Sequence, residues 1–135
     1  MTGPVEIEAL IIYLPVHDLE ATRDFYGRDL ALELLREGGG RLVFKIGGGH
    51  LGFQQCQDSN PLPGQAGPIL TLISRNSARF YQYLRRLGVE TEIPPPHYQR
   101  RIGVHFRIRD PDGYRLEVQQ SPAPTIGFPK TDGAS

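Results

Sequence analysis

The chain has 135 residues, of which 15 are Lys or Arg and 15 are Asp or Glu, so its formal net charge is zero. A chain of this length forms one domain that removes roughly two-thirds of its unfolded surface from water. A balanced net charge gathers neither phosphates nor anionic lipids, so the composition argues against nucleic acids and membrane surfaces as partners.

The sequence indicates a cytoplasmic protein. Cys56 is the only cysteine, which excludes a disulfide framework and suits a reducing compartment. The opening residues MTGPVEIEAL lack the basic end and apolar stretch of a signal peptide, and no apolar run approaches the ~18 residues of a membrane helix. We expect an N-terminal tail at 1–6 and a flexible C-terminal tail at 121–135, which is rich in Pro, Gly and Ser.

The first half of the chain predicts a strand, a helix and three further strands. An apolar strand covers 7–16, and Asp18 is a suitable N-cap for a helix over 18–30 whose apolar residues fall near one face. Short strands follow near 32–37 and on either side of the glycines within 42–56. We take 7–56 as one module and the tail-like stretch 57–67 as a linker.

The second half, 68–120, repeats this order. A strand over 69–74 precedes a helix over 77–88, with Ser77 as N-cap and Gly88 as the C-terminal stop; a short strand near 89–93 and a hairpin over 104–120 follow. The predicted fold class is therefore α+β, with two βαβββ modules in one chain. They form a curved, trough-like mixed sheet with the helices on the outer face, so the polar, helix-free faces line the trough.

The hairpin of 104–120 has a register that its turn determines. The sequence Asp110-Pro111-Asp112-Gly113 suits a three-residue loop with Asp110 opposite Tyr114. Counting outward places six polar side chains together on one face and leaves the other face apolar; the six are His105, Arg107, Arg109, Arg115, Glu117 and Gln119. An antiparallel sheet covered on one side only would present the same polar face to water alone, and this alternative stays open.

The repeat, with VHDLEATRDFYGRDLALEL and RDPDGYRLEV, resembles the vicinal oxygen chelate superfamily, which includes glyoxalase I, extradiol dioxygenases, fosfomycin-modifying transferases and bleomycin-binding proteins. The resemblance covers about residues 7–120 and implies the fold more specifically than the reaction. It also implies that single-domain relatives pair into dimers, so we expect a homodimer.

Enzymes of this family hold a divalent metal through side chains of both modules. By that resemblance Glu117 matches the terminal carboxylate ligand, while Ile11, Gly52 and either Gly67 or Pro68 occupy the other ligand positions. Apart from Glu117, none of these side chains binds a metal. We therefore expect no cofactor, and Glu117 becomes a metal ligand only if a divalent metal is found with substitute ligands.

The leading hypothesis is a metal-independent protein that binds a small organic ligand, neutral or anionic, and sequesters a drug or metabolite in the trough. The predicted ligand-binding residues are Tyr13, Gln54, His105, Arg107, Glu117 and Gln119; Tyr13 lies two residues after Ile11 and so shares its face. The proline-rich loop 94–103 leads into the hairpin and could rim the cleft. The alternatives are a metal-dependent lyase, isomerase or dioxygenase with an altered ligand set, and a cleft that serves only in a protein assembly.

Overall fold

The structure, a computed structural model, describes residues 5–57, 59–92 and 105–121. The predicted rim loop 94–103 and nearly all of the predicted C-terminal tail lie outside these residues. The chain divides into two compact units: unit 1 comprises residues 1–66 and 110–114, and unit 2 comprises residues 67–109 and 115–135. Each unit holds a small mixed sheet and a helix, so the predicted α+β class is confirmed.

Unit 1 contains a four-stranded sheet in the order β1-β4-β3-β2, in which β1 runs parallel to β4 and the other pairs are antiparallel. Its elements are β1 (Ile12–Val16), α1 (Leu19–Arg23, continued by a π-helical segment Asp24–Asp29), β2 (Glu33–Gly38), β3 (Arg41–Ile46) and β4 (Gly49–Gln55). The side chain of Asp18 accepts a hydrogen bond from the Ala21 amide, so the predicted N-cap is confirmed. The first strand begins later than predicted, at Ile12.

The core of unit 1 is built around Tyr26, which is fully buried. Its ring lies 4.5 Å from that of Phe53 and 5.0 Å from that of Phe25, centroid to centroid. The hydroxyl donates a hydrogen bond of 2.8 Å to the Oδ2 atom of buried Asp110. Burial and the neighbouring carboxylate raise the pKa of Tyr26 well above its ordinary value, so this hydroxyl stays a donor.

Asp110 also organises the loop that contains it. Its Oδ1 atom accepts hydrogen bonds of 2.9 Å from the backbone amides of Asp112 and Tyr114. Gly113 takes φ = 87°, which the loop requires and which only glycine adopts without strain. Burial raises the pKa of the Asp110 carboxyl, while the Tyr26 hydroxyl and the two amides oppose that rise. The loop is thus held by three donors on one carboxyl group.

The same loop covers part of the free edge of β1. Because Val16 bonds to β4 through its carbonyl, the Pro15 carbonyl and the His17 amide point to the opposite edge. There the Tyr114 hydroxyl donates to the Pro15 carbonyl at 2.6 Å, and the His17 amide donates to Asp112 at 3.2 Å. Pro15, which has no N–H to offer, occupies the edge position that suits a proline.

Unit 2 contains a three-stranded sheet in the order β5-β7-β6, with β5 parallel to β7. Its elements are β5 (Ile69–Ser74), α2 (Ser77–Leu87), β6 (His105–Arg109) and β7 (Arg115–Gln120). Gly88 ends α2 in the left-handed conformation, as predicted, but the N-cap is Asn76 and not Ser77, because the Asn76 side chain accepts from the Arg79 amide. Of the strand expected near 89–93, the described residues contain an isolated bridge between Glu92 and Arg107.

The predicted register of the hairpin is confirmed. Asp110 faces Tyr114 through a backbone hydrogen bond of 3.0 Å, and the cross-strand pairs follow in order: Arg109–Arg115, Ile108–Leu116, Arg107–Glu117, Phe106–Val118 and His105–Gln119. The apolar face packs beneath α2, where Tyr81 lies 5.3 Å from Phe106 between ring centroids. The polar set therefore occupies the helix-free face of unit 2.

We predict that Asp110→Ala lowers the free energy of unfolding by about 3 kcal/mol, because it leaves three buried donors without an acceptor. Tyr26→Phe removes one of these bonds and should cost about 1.5 kcal/mol. Urea unfolding monitored by circular dichroism measures both, with the exposed Glu33→Ala as the control, for which less than about 0.5 kcal/mol is expected. Equal stabilities of Asp110→Ala and the control would contradict this account of the loop.

Candidate functional site

The helix-free face of unit 2, called here the Arg107 face, is an ordered array of cross-strand rows. The central row joins Thr71 of β5, Glu117 of β7 and Arg107 of β6, and the bridge adds Glu92. The flanking rows are Ile69–Arg115–Arg109 and Ile73–Gln119–His105. The face therefore places charged and amide side chains on two strands beside an apolar row on the third.

Arg107 is held between two carboxylates without being saturated by them. Its Nε atom lies 3.5 Å from Oε2 of Glu117, and its Nη1 atom lies 4.0 Å from Oε1 of Glu92. Both distances are those of ion pairs and exceed the 2.7–3.2 Å of an N–H···O hydrogen bond. Glu117 is largely buried, with 12% of its side chain exposed, and accepts a hydrogen bond of 2.9 Å from the Gln119 amide. The Arg107 side chain is 45% exposed, so its N–H groups are accessible to a further acceptor.

Arg115 brings a second guanidinium to the same face. Its Nη2 atom donates to the Gly67 carbonyl at 3.1 Å, whereas its buried Nε atom has no hydrogen-bond partner among the described residues. Residues two apart on a strand share a face, so Arg115 and Glu117 are neighbours along β7. Glu117 thus has Arg107 opposite it across the sheet and Arg115 on the same face of its own strand.

The helix-free face of unit 1 carries a stacked cluster. The guanidinium carbon of Arg41 lies 4.6 Å above the centroid of the Tyr13 ring, and its Nε atom donates to Oε1 of Gln54 at 3.2 Å. The ring of Tyr13 lies over Gly52, so closely that a Cβ atom there would be 2.7 Å from a ring carbon. Glycine at position 52 is what allows Tyr13 to lie flat on the sheet.

The structure brings several of the predicted site residues together within each unit. In unit 2 it places Arg107, Glu117 and Gln119 in contact on one face, and the backbone register puts His105 opposite Gln119. In unit 1 it joins Tyr13 and Gln54 through Arg41, which the sequence interpretation missed. A role for these six residues in ligand binding remains a prediction.

The sequence interpretation missed the contacts of Arg41 and Arg115, because both contacts depend on strand pairings that it did not consider. Arg41 faces Gln54 across β3 and β4, so extending the first hairpin to its glycine turn would have found it. Arg115 was assigned to the polar face, but its contact with Gly67 depends on the parallel pairing of β5 and β7, which no turn signals.

A separate open cavity of about 520 Å³ lies in unit 1, beside the start of α1. Arg23 and Glu37 form an ion pair on its wall. Of the candidate site residues of unit 1, which are Tyr13, Gln54 and Arg41, Arg41 lines this cavity. Two amides at the start of α1 already have acceptors, since the Leu19 amide donates to Gln55 and the Ala21 amide donates to Asp18. Their donor capacity is therefore used within the chain.

The described ranges contain neither a group of side chains that could hold a metal ion nor a helix that could span a membrane. No three His, Cys, Asp or Glu side chains within residues 5–57, 59–92 and 105–121 converge in a group that could hold a metal ion. Over the same ranges, no helix has the length and apolar character needed to span a bilayer.

The family model described as Glyoxalase/Bleomycin resistance protein/Dioxygenase superfamily matches residues 7–118 of the chain. No curated protein matches significantly. Among solved structures, the bleomycin resistance determinant encoded on the transposon Tn5 is 20% identical with a TM-score of 0.66, over 86% of this chain and 99% of that one.

Two further structures are similar to the same extent. The antibiotic-binding protein TnmS3 from Streptomyces sp. CB03234 is 20% identical with a TM-score of 0.63, over 88% of this chain and 98% of that one. Lactoylglutathione lyase from Agrobacterium tumefaciens is 22% identical with a TM-score of 0.63, over 93% of this chain and all of that one. Likeness at these identities establishes a shared fold.

We predict that Gly52→Ala destabilises the protein by about 1–3 kcal/mol, because its methyl group must displace the Tyr13 ring. In a Tyr13→Ala background most of this penalty should disappear, since the two ring carbons that lie nearest to the added methyl group are then absent. Urea unfolding of the four proteins in this cycle measures the coupling. Full additivity of the two substitutions would show that the ring does not rest on Gly52.

Proposed function

Because the chain belongs to the Glyoxalase/Bleomycin resistance protein/Dioxygenase superfamily, we propose that it binds a small organic molecule on the Arg107 face. The ligand has an acid group and an apolar body, and binding requires no metal. The observation that carries the proposal is the guanidinium of Arg107, which sits at ion-pair distance from two carboxylates and keeps its N–H donors accessible.

The acid group of the ligand binds to Arg107. A planar guanidinium presents paired N–H groups that match a carboxylate or phosphate, and such charge-assisted bonds are about twice as strong as neutral ones. Glu117 lies at ion-pair distance from the guanidinium and is itself fixed by a 2.9 Å hydrogen bond from the Gln119 amide. The guanidinium is therefore held from one side. Because Arg107 is already oriented, a ligand loses less conformational entropy on binding.

Arg115 strengthens the preference for an anion. Its guanidinium shares the face of Arg107 and adds positive charge there. The Arg107 face also includes Arg109, in the row next to Arg107. Three guanidinium groups on one face disfavour a cationic ligand such as a glycopeptide amine.

The apolar body of the ligand lies along β5. Ile69 and Ile73 are 50% and 37% exposed on this face, in register with Arg115 and Gln119. Ligand sites typically combine apolar walls with a few polar anchors, and this row supplies the apolar part. Covering it would remove exposed apolar area from water, at roughly 25 cal/mol per Å².

The residues at the positions of the family's metal ligands do not fit a divalent cation. The space that a side chain at position 52 would enter is filled by Tyr13, and Ile11 contributes a methyl group to the same space. At the start of β5 the Gly67 carbonyl accepts from the Arg115 guanidinium, which repels a cation placed beside Glu117. These contacts support metal-independent binding.

Tyr13 and Gln54 remain the candidate ligand residues of unit 1, with Arg41 added by the contacts described above. Two of the similar structures are named as a bleomycin resistance determinant and an antibiotic-binding protein, which agrees with a role in sequestering a small molecule. The proposal also includes a cytoplasmic location and a homodimer.

We predict that Arg107→Ala weakens binding of the ligand about ten- to a hundredfold, the loss expected for a hydrogen-bonded charge pair. The substitution leaves the apolar face of the hairpin unchanged, so the free energy of unfolding should change little. A thermal-shift screen of organic acids identifies the ligand, and calorimetry then compares wild type, Arg107→Ala and Arg36→Ala, an exposed arginine on β2. Equal affinities in all three would mean that the Arg107 face contacts only water.

We predict that Ni, Mn, Fe(II) or Zn salts leave the melting temperature within about 1 °C of the metal-free value. A metal that binds only the folded state at a hundred times its Kd would stabilise it by ~2.7 kcal/mol, which is readily detected. Elemental analysis of the purified protein provides the second readout. One equivalent of bound metal in wild type and none in Glu117→Ala would contradict this proposal and favour a metal-dependent enzyme.

A further inference from the structure

The positive and negative side chains of the Arg107 face nearly balance. Among the described residues of its three rows, the charged ones are three arginines and two glutamates: Arg107, Arg109, Arg115, Glu92 and Glu117. The formal charge of this set is +1. A single negative charge on a ligand neutralises it, whereas a doubly charged ligand leaves one negative charge without a counterpart on the face.

The two glutamates of this face are held differently. Glu117 has 12% of its side chain exposed and accepts a hydrogen bond from the Gln119 amide. Glu92 has 66% of its side chain exposed, and its Oε1 atom lies 4.0 Å from Nη1 of Arg107, which exceeds the length of a hydrogen bond. An exposed ion pair at such a distance contributes little to stability. The main effect of Glu92 is therefore to place a negative charge beside Arg107.

The backbone puts the Glu92 carboxylate next to the nitrogen atoms that a ligand acid would use. Glu92 and Arg107 exchange two backbone hydrogen bonds, of 2.9 and 2.7 Å, so their side chains lie opposite each other on one face. Because Nε of Arg107 pairs with Glu117, an acid that accepts two parallel N–H bonds binds to Nη1 and Nη2. Nη1 is the nitrogen beside Glu92, so the negative charge of the ligand comes close to that carboxylate.

We infer that Glu92 restricts the Arg107 face to singly charged acids, so that the ligand is a monocarboxylic acid with an apolar chain. Attraction to the arginines grows in proportion to the ligand charge, whereas the cost of removing that charge from water grows with its square. Glu92 weakens the attraction, so a second negative charge costs more than it gains. A like charge that opposes unwanted ligands is a common source of specificity. The inference rests on the proposed function and limits its acid group to one negative charge.

The sheet also indicates how long the ligand is. β7 lies between β6, which carries Arg107, and β5, which carries Ile69 and Ile73. Neighbouring strands are ~4.8 Å apart, so the guanidinium and the apolar row are separated by roughly 10 Å. Octanoate has a chain of suitable length to span this distance. Octyl phosphate has the same chain and carries two negative charges at pH 8, because the second pKa of a phosphate ester is ~6. The two compounds are therefore matched probes of ligand charge.

The test measures, by calorimetry at pH 8, the affinities of octanoate and octyl phosphate for wild type and for Glu92→Gln. Wild type should bind octanoate more tightly than octyl phosphate. Coulomb energies are proportional to ligand charge, so removing the charge of Glu92 should strengthen binding of octanoate about fivefold and binding of octyl phosphate about twenty-five-fold. The preference for octanoate should therefore fall about fivefold in Glu92→Gln.

Two further variants separate the charge of Glu92 from any structural role. Glu92→Asp keeps the negative charge and should keep most of the preference for octanoate. Glu20→Gln removes an exposed carboxylate from α1 of unit 1, which is the same change in net charge as Glu92→Gln. At 0.15 M salt the screening length is ~8 Å, so both affinities of Glu20→Gln should stay within about twofold of wild type. Thermal unfolding monitored by circular dichroism checks that each variant is folded.

The outcomes distinguish this inference from the function on which it rests. Suppose that octanoate binds wild type but not Arg107→Ala, and that the ratio of the two affinities is the same in wild type and Glu92→Gln. Glu92 then does not select the ligand, and the inference is wrong while the proposed function stands. A wild type that prefers octyl phosphate would overturn the inference in the same way. If neither compound binds wild type or Glu92→Gln, the Arg107 face does not bind an acid with an apolar chain, and both proposals fail.

Discussion

A single buried carboxyl group, that of Asp110, holds together the part of the fold on which the candidate site depends. It accepts a hydrogen bond from the Tyr26 hydroxyl in the aromatic core of unit 1 and two more from amides of its own loop. That loop joins β6 to β7 and so sets which residues face each other across the hairpin. Because strand residues alternate between faces, moving the loop by one residue would send Arg107 and Glu117 to opposite sides of the sheet. Asp110 therefore takes part both in the core of unit 1 and in the loop that determines which side chains form the Arg107 face.

Under the proposed function, the Arg107 face binds an anion without a metal. Glu117 retains a carboxylate, but Arg107 lies at ion-pair distance across from it and Arg115 shares its face of β7. Near such a carboxylate a second cation is disfavoured, whereas the exposed N–H groups of Arg107 can still donate to an acid group from outside. Gly52 has no side chain, so the Tyr13 ring can pack directly on the sheet at that position, with Arg41 stacked over the ring.

Turn chemistry and alternation predicted the hairpin register correctly because both are local, and together they leave one arrangement with a continuous apolar face. The N-cap of α2 was assigned one residue late, because Asn76 and Ser77 are both good caps and only the Asn76 bond to the Arg79 amide distinguishes them. The stack of Arg41 on Tyr13 joins strands 28 residues apart in sequence, and the contact of Arg115 with Gly67 depends on parallel pairing. Neither has a local signal.

The central claim is that Arg107 recognises the acid group of an organic ligand. The most direct measurement compares, by calorimetry, the acid identified by screening with its neutral amide, on wild type and on Arg107→Ala. If Arg107 binds the acid group, conversion to the amide should weaken binding to wild type about tenfold or more and should have little effect on Arg107→Ala. An equal loss in the two proteins would contradict the account, because the acid group would then be recognised elsewhere on the molecule.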